Sequence, residues 1–249
     1  MSKLYGLIGN PLSHSFSEDY FNRKFQSENL TGFHYRLFPI NAISELTNLI
    51  SNQPTLYGLN VTLPYKKQVL HYMNHLSAEA KNAGAVNCIS IEREKGKFTL
   101  LGYNTDIYGF TQSIKPLLLP WHKKALILGT GGSSKAVALG LKSLEIEFLF
   151  VSRHPKAKDQ ITYRDITPSL IESHTIIINT TPVGMFPETE NFPEIPYHCL
   201  TTDHLVYDLI YNPTETIFLK KSKENRAVTS NGLKMLYLQA EKSWEIWQR

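Results

Sequence analysis

The chain has 249 residues, enough for one large domain or two modest ones, and its 42% hydrophobic and 19% charged residues are the balance of a soluble globular protein. The formal net charge of +4 is spread along the chain. Its densest basic run, Lys220-Lys221-Ser222-Lys223, reads as a solvated helix face, so no nucleic-acid partner is expected and anionic small molecules suit the charge better. No run approaches membrane-spanning length, and the chain starts directly on a strand-like segment without a basic leader, so no membrane partner is expected. Cys88 and Cys199 have neither CxxC nor zinc-type spacing, which argues for free thiols in a reducing compartment, the cytoplasm by default, and against a metal site.

The first part alternates strands and helices. Strand patterns cover 4–8, 33–40 and 56–62. Helical patterns cover 16–27, with Phe16, Tyr20, Phe21 and Phe25 on one face, then 42–51, 66–73 and a segment beginning near Ser77. Strands at 85–92 and 98–103 are joined by Glu94-Lys95-Gly96-Lys97, a hairpin turn. This alternation predicts a mainly parallel α/β sheet with an antiparallel edge. A helix over 107–119, ended by Pro116 and Pro120, leads into a second α/β unit. There the strands are 125–128, 148–151, 175–179, 205–209 and 227–229, and the helices 133–144 and 214–225. A proline-rich loop runs from 182 to 204, and a terminal aromatic helix from about 233 to 247. The expected boundary between two domains lies near Asp106.

Asn60-Val61-Thr62-Leu63-Pro64-Tyr65-Lys66 ends a strand in proline and places a lysine directly after it. Pro64 biases Leu63 toward extended backbone, and the period of two puts Asn60 and Thr62 on one face. A strand end offering Asn, Thr and Lys suits a polar ligand, and a lysine there can exchange a proton with substrate oxygen. Asn104-Thr105-Asp106 sits at the expected junction, where α/β proteins bind ligands. Asp106 could orient that lysine or simply cap the next helix. In Gly9-Asn10-Pro11-Leu12-Ser13-His14-Ser15-Phe16-Ser17, the serines stand at a loop-to-helix junction, where they cap the helix or hold a carboxylate. His14 reads as structural.

In the second unit, Gly129-Thr130-Gly131-Gly132-Ser133-Ser134 falls between a buried strand and a helix. Gly129 permits the turn, Gly131 lets the backbone approach a pyrophosphate, and the helix N-terminus faces the anion. The next strand ends in Ser152-Arg153 with no acidic residue to take a ribose 2′-hydroxyl. Arg153, with Ser152 and Lys156 or Lys158 nearby, suits a 2′-phosphate and so NADP; taken alone, Arg153 is equally a solvated strand-end charge.

Together these segments resemble the shikimate dehydrogenase family over essentially the whole chain and in the family's order. The resemblance makes Lys66 and Asp106 the catalytic pair. It makes Ser15 and Ser17 carboxylate ligands and Asn60, Thr62 and Asn87 substrate contacts. Gly129, Thr130, Gly131, Gly132 and Ser133 match the family's glycine-rich variant. Asn179 through Met185 resembles its cofactor-side loop, with Thr180 at the cofactor. Asp208 through Pro213 resembles the strand and loop carrying a substrate tyrosine, here Tyr211. Asn231 through Gln239 resembles the start of the last helix, with Gly232 and Met235 at the nicotinamide and Gln239 at substrate. Four departures stand out: Glu18 where the family has Pro, Ile107 where it has Gly, Ser152-Arg153-His154 for Asn-Arg-Thr, and Ala157 where a second basic residue is expected.

The implied fold is α/β with two domains: a substrate domain of residues 1–105 plus 232–249 with a mainly parallel sheet, to which the C-terminal helix returns, and a Rossmann-like NADP-binding domain of 106–231. The implied activity is reversible NADPH-dependent reduction of 3-dehydroshikimate to shikimate, a step toward chorismate and aromatic amino acids. The partners are then a small-molecule substrate and a monomer or homodimer. The alternatives are a quinate/shikimate dehydrogenase using NAD as well, and a non-catalytic sensor of shikimate-like metabolites.

Overall fold

In the computed structural model, which describes residues 2–12 and 16–249, the apolar runs near the N-terminus become the centre of a sheet. Strand β1 (Lys3–Gly9) is buried from Leu4 to Gly9. It is followed by helix α1 (Phe16–Ser27), whose Phe21 and Phe25 face inward, and strand β2 (Phe33–Pro39). A 3-10 turn (Ile43–Glu45) leads into α2 (Leu46–Asn52), and then β3 (Leu56–Val61), also buried almost throughout. Next come β4 (His75–Leu76), α3 (Ala78–Ala83), and the hairpin β5 (Cys88–Glu94) and β6 (Lys97–Tyr103). Lys95 (φ 49°) and Gly96 (φ 78°) both have positive φ in its two-residue turn, the requirement of a type I′ hairpin.

These strands form one sheet in the order β2-β1-β3-β5-β6-β4. The pairs β1/β2, β1/β3 and β4/β6 are parallel, and β3/β5 and β5/β6 antiparallel. The antiparallel pair expected at the edge is instead covered by β4, two residues long. The helix expected over 66–73 is a 3-10 helix, Gln68–Tyr72. Its chain is pinned at both ends, by Val86 N donating to Lys66 O (2.8 Å) and Asn74 N donating to Leu100 O (2.9 Å), which leaves room for one short, tight helix.

Two cores flank this sheet. One is aliphatic and includes Ile8, Leu59, Val61, Tyr65, Val69 and Ile89. The other is aromatic, with Tyr5, Phe21, Phe25, Tyr35 and Trp247. The Tyr5 and Trp247 rings stack at 4.9 Å, and Trp247 Nε1 donates to Ile89 O at 2.9 Å. Gly58 lies against the Trp247 indole with no space for a Cβ. Large aromatic burial of this kind explains why the end of the chain, Ala240–Arg249, clusters with Met1–Thr105.

The other compact unit is Asp106–Gln239. Helix α4 (Asp106–Ile114) runs into a 3-10 turn at Lys115–Leu117, where Pro116 tightens it. Then follow β7 (Lys124–Leu128), α5 (Gly132–Ser143), β8 (Glu147–Val151), β9 (Gln160–Ile161), α6 (Pro168–Ser173) and β10 (Ile176–Asn179). After the long loop come β11 (Leu205–Asp208), α7 (Ile217–Glu224), β12 (Val228–Ser230) and α8 (Leu233–Trp247). Helix α8 belongs to this unit through Gln239 and to the other from Ala240.

All strand pairs here are parallel, in the order β12-β11-β10-β7-β8-β9. This is the doubly wound order, with the chain leaving β7 in one direction and returning to β10 on its other side. The crevice at such a switch point lies beyond the strand ends, where Gly129 follows β7 and Thr180 follows β10. The short β9 and α6 escape the sequence pattern, since two residues carry no period; α6 does have its signature in Thr167, which caps Leu170 N, and Pro168 at the first turn.

Candidate active site

The glycine turn is built for close backbone approach. Gly129 has φ 104°, and a Cβ there would lie 2.8 Å from Thr181 Cγ2 and 2.9 Å from Thr180 Oγ1. Its N–H donates to Val151 O at 2.8 Å, tying the turn to the end of β8. Gly131 and Gly132 differ: a Cβ on either meets nothing within 4 Å. Gly131 is the N-cap of α5 and brings no side-chain cap, so the N-terminal N–H groups of this helix are available to an anion.

A cleft of about 690 Å³ opens at this turn. Of the residues expected at a cofactor, Gly129, Thr130, Gly131, Ser152, Arg153 and Thr180 line it. Gly132 and Ser133 open α5, outside that lining. Gly232 packs against Leu209 O, and Met235 is buried in the core beside Phe110 and Ile114, so both also stand outside it. His154, Lys156, Tyr163 and Phe192 line it as well. Lys156 thus supplies a second cation on the Arg153 wall, although Ala157 holds the position where the family pattern has one. Burial pushes the Tyr163 phenol up, and the Arg153 charge acts against that shift.

The loops bordering this cleft hang on two buried polar residues. Asn179 Oδ1 accepts from Thr181 N (3.0 Å) and Oγ1 (2.7 Å), and its Nδ2 donates to Asp208 Oδ1 (3.0 Å). Asp208 also accepts from Thr216 Oγ1 (2.7 Å) and Ile210 N (3.0 Å). Desolvation outweighs these three bonds and raises its pKa to about 6. Thr180 seals the end of β7, with both N (2.9 Å) and Oγ1 (2.7 Å) donating to Leu128 O. These residues fit a dinucleotide: uncrowded glycines, a free helix N-terminus and a basic wall.

In the unit that holds Met1–Thr105, three chain segments meet at strand ends. Thr62 N donates to Ile8 O (2.9 Å) and Asn10 N to Leu63 O (3.1 Å), which sets the loop after β1 beside the segment after β3. Gly9 makes that approach possible, since a Cβ there would lie 2.9 Å from Leu12 Cδ2 and nearer still to Thr62. Val61 N donates to Asn87 O (2.9 Å) and Val86 N to Lys66 O (2.8 Å), bringing Asn87 alongside. Lys66 is half-buried between two anchors, Tyr65, whose hydroxyl donates to Ile40 O at 2.7 Å, and Val69, which is fully buried.

Asn60 is buried and committed within this unit. Its Oδ1 accepts from Tyr35 OH (2.9 Å), and its Nδ2 donates to Ser243 Oγ (2.9 Å) and Asn87 O (3.3 Å). Thr62 is half-buried. Asn87 accepts from Thr105 N (2.7 Å) and donates to Thr105 Oγ1 (3.0 Å). Burial pushes the pKa of the Tyr35 phenol well above its ordinary value, and Ser17 acts against that shift. Ser13, His14 and Ser15 lie outside the described residues, so the expectation for Ser15 rests on sequence. Asp106, 9% exposed, is the first residue of α4, directly after Thr105. Tyr211, 40% exposed, follows β11, and Gln239 is the last residue of its unit.

Sequence reading missed Tyr35 and Ser243, which hold Asn60, and His154 and Tyr163 at the cleft. Thr105 carried a signal, lying inside a quoted motif; Tyr35 and Ser243 carried none beyond polar atoms on otherwise apolar faces.

A doubly wound parallel unit with a glycine-turn cleft defines a dinucleotide-binding α/β enzyme. Residues 7–89 match the family model described as the shikimate dehydrogenase substrate binding domain. A shikimate dehydrogenase (NADP(+)) of Desulforamulus reducens is 34% identical, with 99% of this chain and 90% of that protein covered. One from Methanococcus maripaludis is 36% identical, covering 99% and 92%. Among solved structures, shikimate 5-dehydrogenase of Thermus thermophilus in complex with NADP(H) and shikimate superposes with a TM-score of 0.85 at 26% identity, covering 98% of this chain and 93% of that one. The chain belongs to the shikimate dehydrogenase family.

Proposed function

We infer that this protein is an NADP-dependent shikimate dehydrogenase, which reduces 3-dehydroshikimate reversibly to shikimate. The observation that carries the reading is full-length similarity to NADP(+)-dependent shikimate dehydrogenases, and the basic wall of the glycine-turn cleft agrees with it. Met1–Thr105 with the end of α8 is the substrate part, and Asp106–Gln239 the cofactor part.

The backbone of Gly129, Thr130, Gly131, Gly132 and Ser133 would hold the pyrophosphate of NADP, Ser152 and Arg153 would take its 2′-phosphate, and Thr180, Gly232 and Met235 would serve its nicotinamide part. When bound, NADPH supplies the hydride that adds to the ring ketone carbon. Lys66 gives its proton to the ketone oxygen as negative charge develops there, which completes the alcohol. Asp106 would accept a hydrogen bond from the same hydroxyl, as the second member of the catalytic pair. Ser15, Ser17 and Tyr211 bind the substrate carboxylate; Asn60, Thr62, Asn87 and Gln239 fix the ring through its hydroxyls. The protein works as a monomer or homodimer in the cytoplasm, where its thiols Cys88 and Cys199 stay unpaired.

The test is NADPH oxidation, followed by the loss of its absorbance, on addition of 3-dehydroshikimate, repeated with NADH and, in the reverse direction, with quinate. Turnover with NADPH and 3-dehydroshikimate is expected. Ligand binding without turnover would replace the enzyme with a sensor, and comparable rates with quinate or NADH would make it a broader quinate/shikimate dehydrogenase.

A further inference from the structure

Asn179 ends β10 just before the loop that borders the glycine-turn cleft, and every hydrogen-bonding position of its amide is used. The directions of those bonds are unique. Thr181 N–H can only donate, so Oδ1 faces it, and Val183 O can only accept, so Nδ2 faces Val183 O (3.4 Å) and Asp208 Oδ1 (3.0 Å). Thr181 Oγ1 then donates to Asn179 Oδ1 (2.7 Å) and accepts from Val183 N (3.2 Å). A threonine whose oxygen is fixed has its methyl fixed as well. That methyl lies over Gly129, where a Cβ would come within 2.8 Å of Thr181 Cγ2. The residue before it, Thr180, bonds Leu128 O through both N and Oγ1, so the loop meets the turn at two successive positions.

We propose that Asn179 is a positioning residue of the cofactor site. It holds Thr181 in one rotamer, and the Thr181 methyl braces Gly129, which sets the path of the backbone through Thr130 and Gly131 where the pyrophosphate is received. This rests on the reading of the cleft as the NADP site. Thr130, Gly131, Thr180, Thr181 and Val183 all line that cleft, whereas Asn179 is fully buried and outside the lining, so its influence on the cofactor passes through Thr181. Asp208 in turn keeps the amide the right way round. A flipped Asn179 would set its oxygen against the Asp208 carboxyl and Val183 O and leave Thr181 N facing a donor. Asp208 is itself held by Thr216 Oγ1 and Ile210 N, so the brace is anchored in the next strand of the sheet.

Thr181→Val keeps the methyl and the volume and removes only the oxygen, so the variant is expected to fold. Calorimetric titration of the full-length protein with NADP should show binding weakened about threefold by Thr181→Val and about tenfold by Asn179→Ala, which loses all the bonds to the loop. The double variant should bind no more than about twofold more weakly than Asn179→Ala, because the threonine oxygen acts through the amide. In steady-state assays Asn179→Ala should raise the KM for NADP and leave that for shikimate within about twofold. A lowered melting temperature with unchanged NADP affinity would reduce Asn179 to a structural residue and overturn the proposal. So would effects that multiply in the double variant. If Asn179→Ala fails to fold, Thr181→Val decides alone, and wild-type NADP affinity in it would overturn the proposal. Wild-type protein that takes up no NADP in the same titration would overturn the cofactor reading and this inference with it, a result distinct from normal binding that the variants leave unchanged.

Discussion

The two units hold their candidate ligand groups by different means. Around Asn60 the groups are side chains, buried and bonded to one another, so that each is placed by its neighbours. At the Gly129 turn the groups are backbone N–H and bare glycines, with cations on an open wall. A polyhydroxy acid needs donors and acceptors at several set positions, which side-chain networks provide. A pyrophosphate needs close approach to a positive helix end, which requires the absence of side chains. Substitutions should therefore act through positioning in the first unit and through steric access or charge in the second.

The largest effect should come where a group enters the chemistry. Lys66→Ala is expected to lower kcat by about 10³-fold with a small change in shikimate KM. Stopped-flow or steady-state NADPH oxidation measures this, and near-normal turnover would remove the lysine from the proton transfer. Asn60→Ala should come next, and as a loss of stability. It removes the acceptor of the buried Tyr35 hydroxyl and one donor each from Ser243 Oγ and Asn87 O, for about 2 kcal/mol in urea unfolding. A neutral result would show that the cluster relaxes around the hole.

The second unit should respond in the opposite way. Gly131→Ala adds a methyl where nothing lies within 4 Å, so the melting temperature should hold while NADP affinity falls about tenfold by calorimetric titration. Gly129→Ala, at φ 104° and against Thr180, should lose both. Arg153→Ala should raise the KM for NADP about tenfold and that for NAD hardly at all. Equal effects on both cofactors would deny the 2′-phosphate contact.

The smallest effect is a pH dependence. The folded pKa of Asp208 is raised to about 6 by burial. A raised carboxyl binds its proton more tightly folded than unfolded. Its contribution to stability is therefore full below the unfolded value near 4, declines as pH rises toward 6, and is constant above. Subtracting the unfolding free energy of Asp208→Asn from that of the wild type should reveal this decline between about pH 4 and pH 6. A flat difference curve would place the carboxylate in the ordinary range.

Where local rules decide structure, the sequence was legible. Helix α1 spans Phe16–Ser27 as its aromatic spacing predicts, and the Lys95-Gly96 turn closes the expected hairpin. The glycine turn was legible because strand, glycines and helix are contiguous. Residues 66–73 were misread as an ordinary helix because their tightness comes from hydrogen bonds to Val86 and Leu100, far along the chain. The sequence left Lys156 and Lys158 as alternatives beside Arg153, because only the fold of the loop decides that Lys156 lines the cleft.

By itself the sequence determined the alternating α/β pattern, the glycine turn between strand and helix, and the motifs that mark the family. These depend on backbone propensity and on spacing within a few residues. The tertiary structure decided the parallel order β12-β11-β10-β7-β8-β9, the return of Trp247 to the aromatic core, and the partners of Asn60. Tyr35, Asn60 and Ser243 are separated by tens to hundreds of positions, and no local rule relates them. What joins them is desolvation: once packing takes these polar groups from water, each must find its hydrogen bonds among the others.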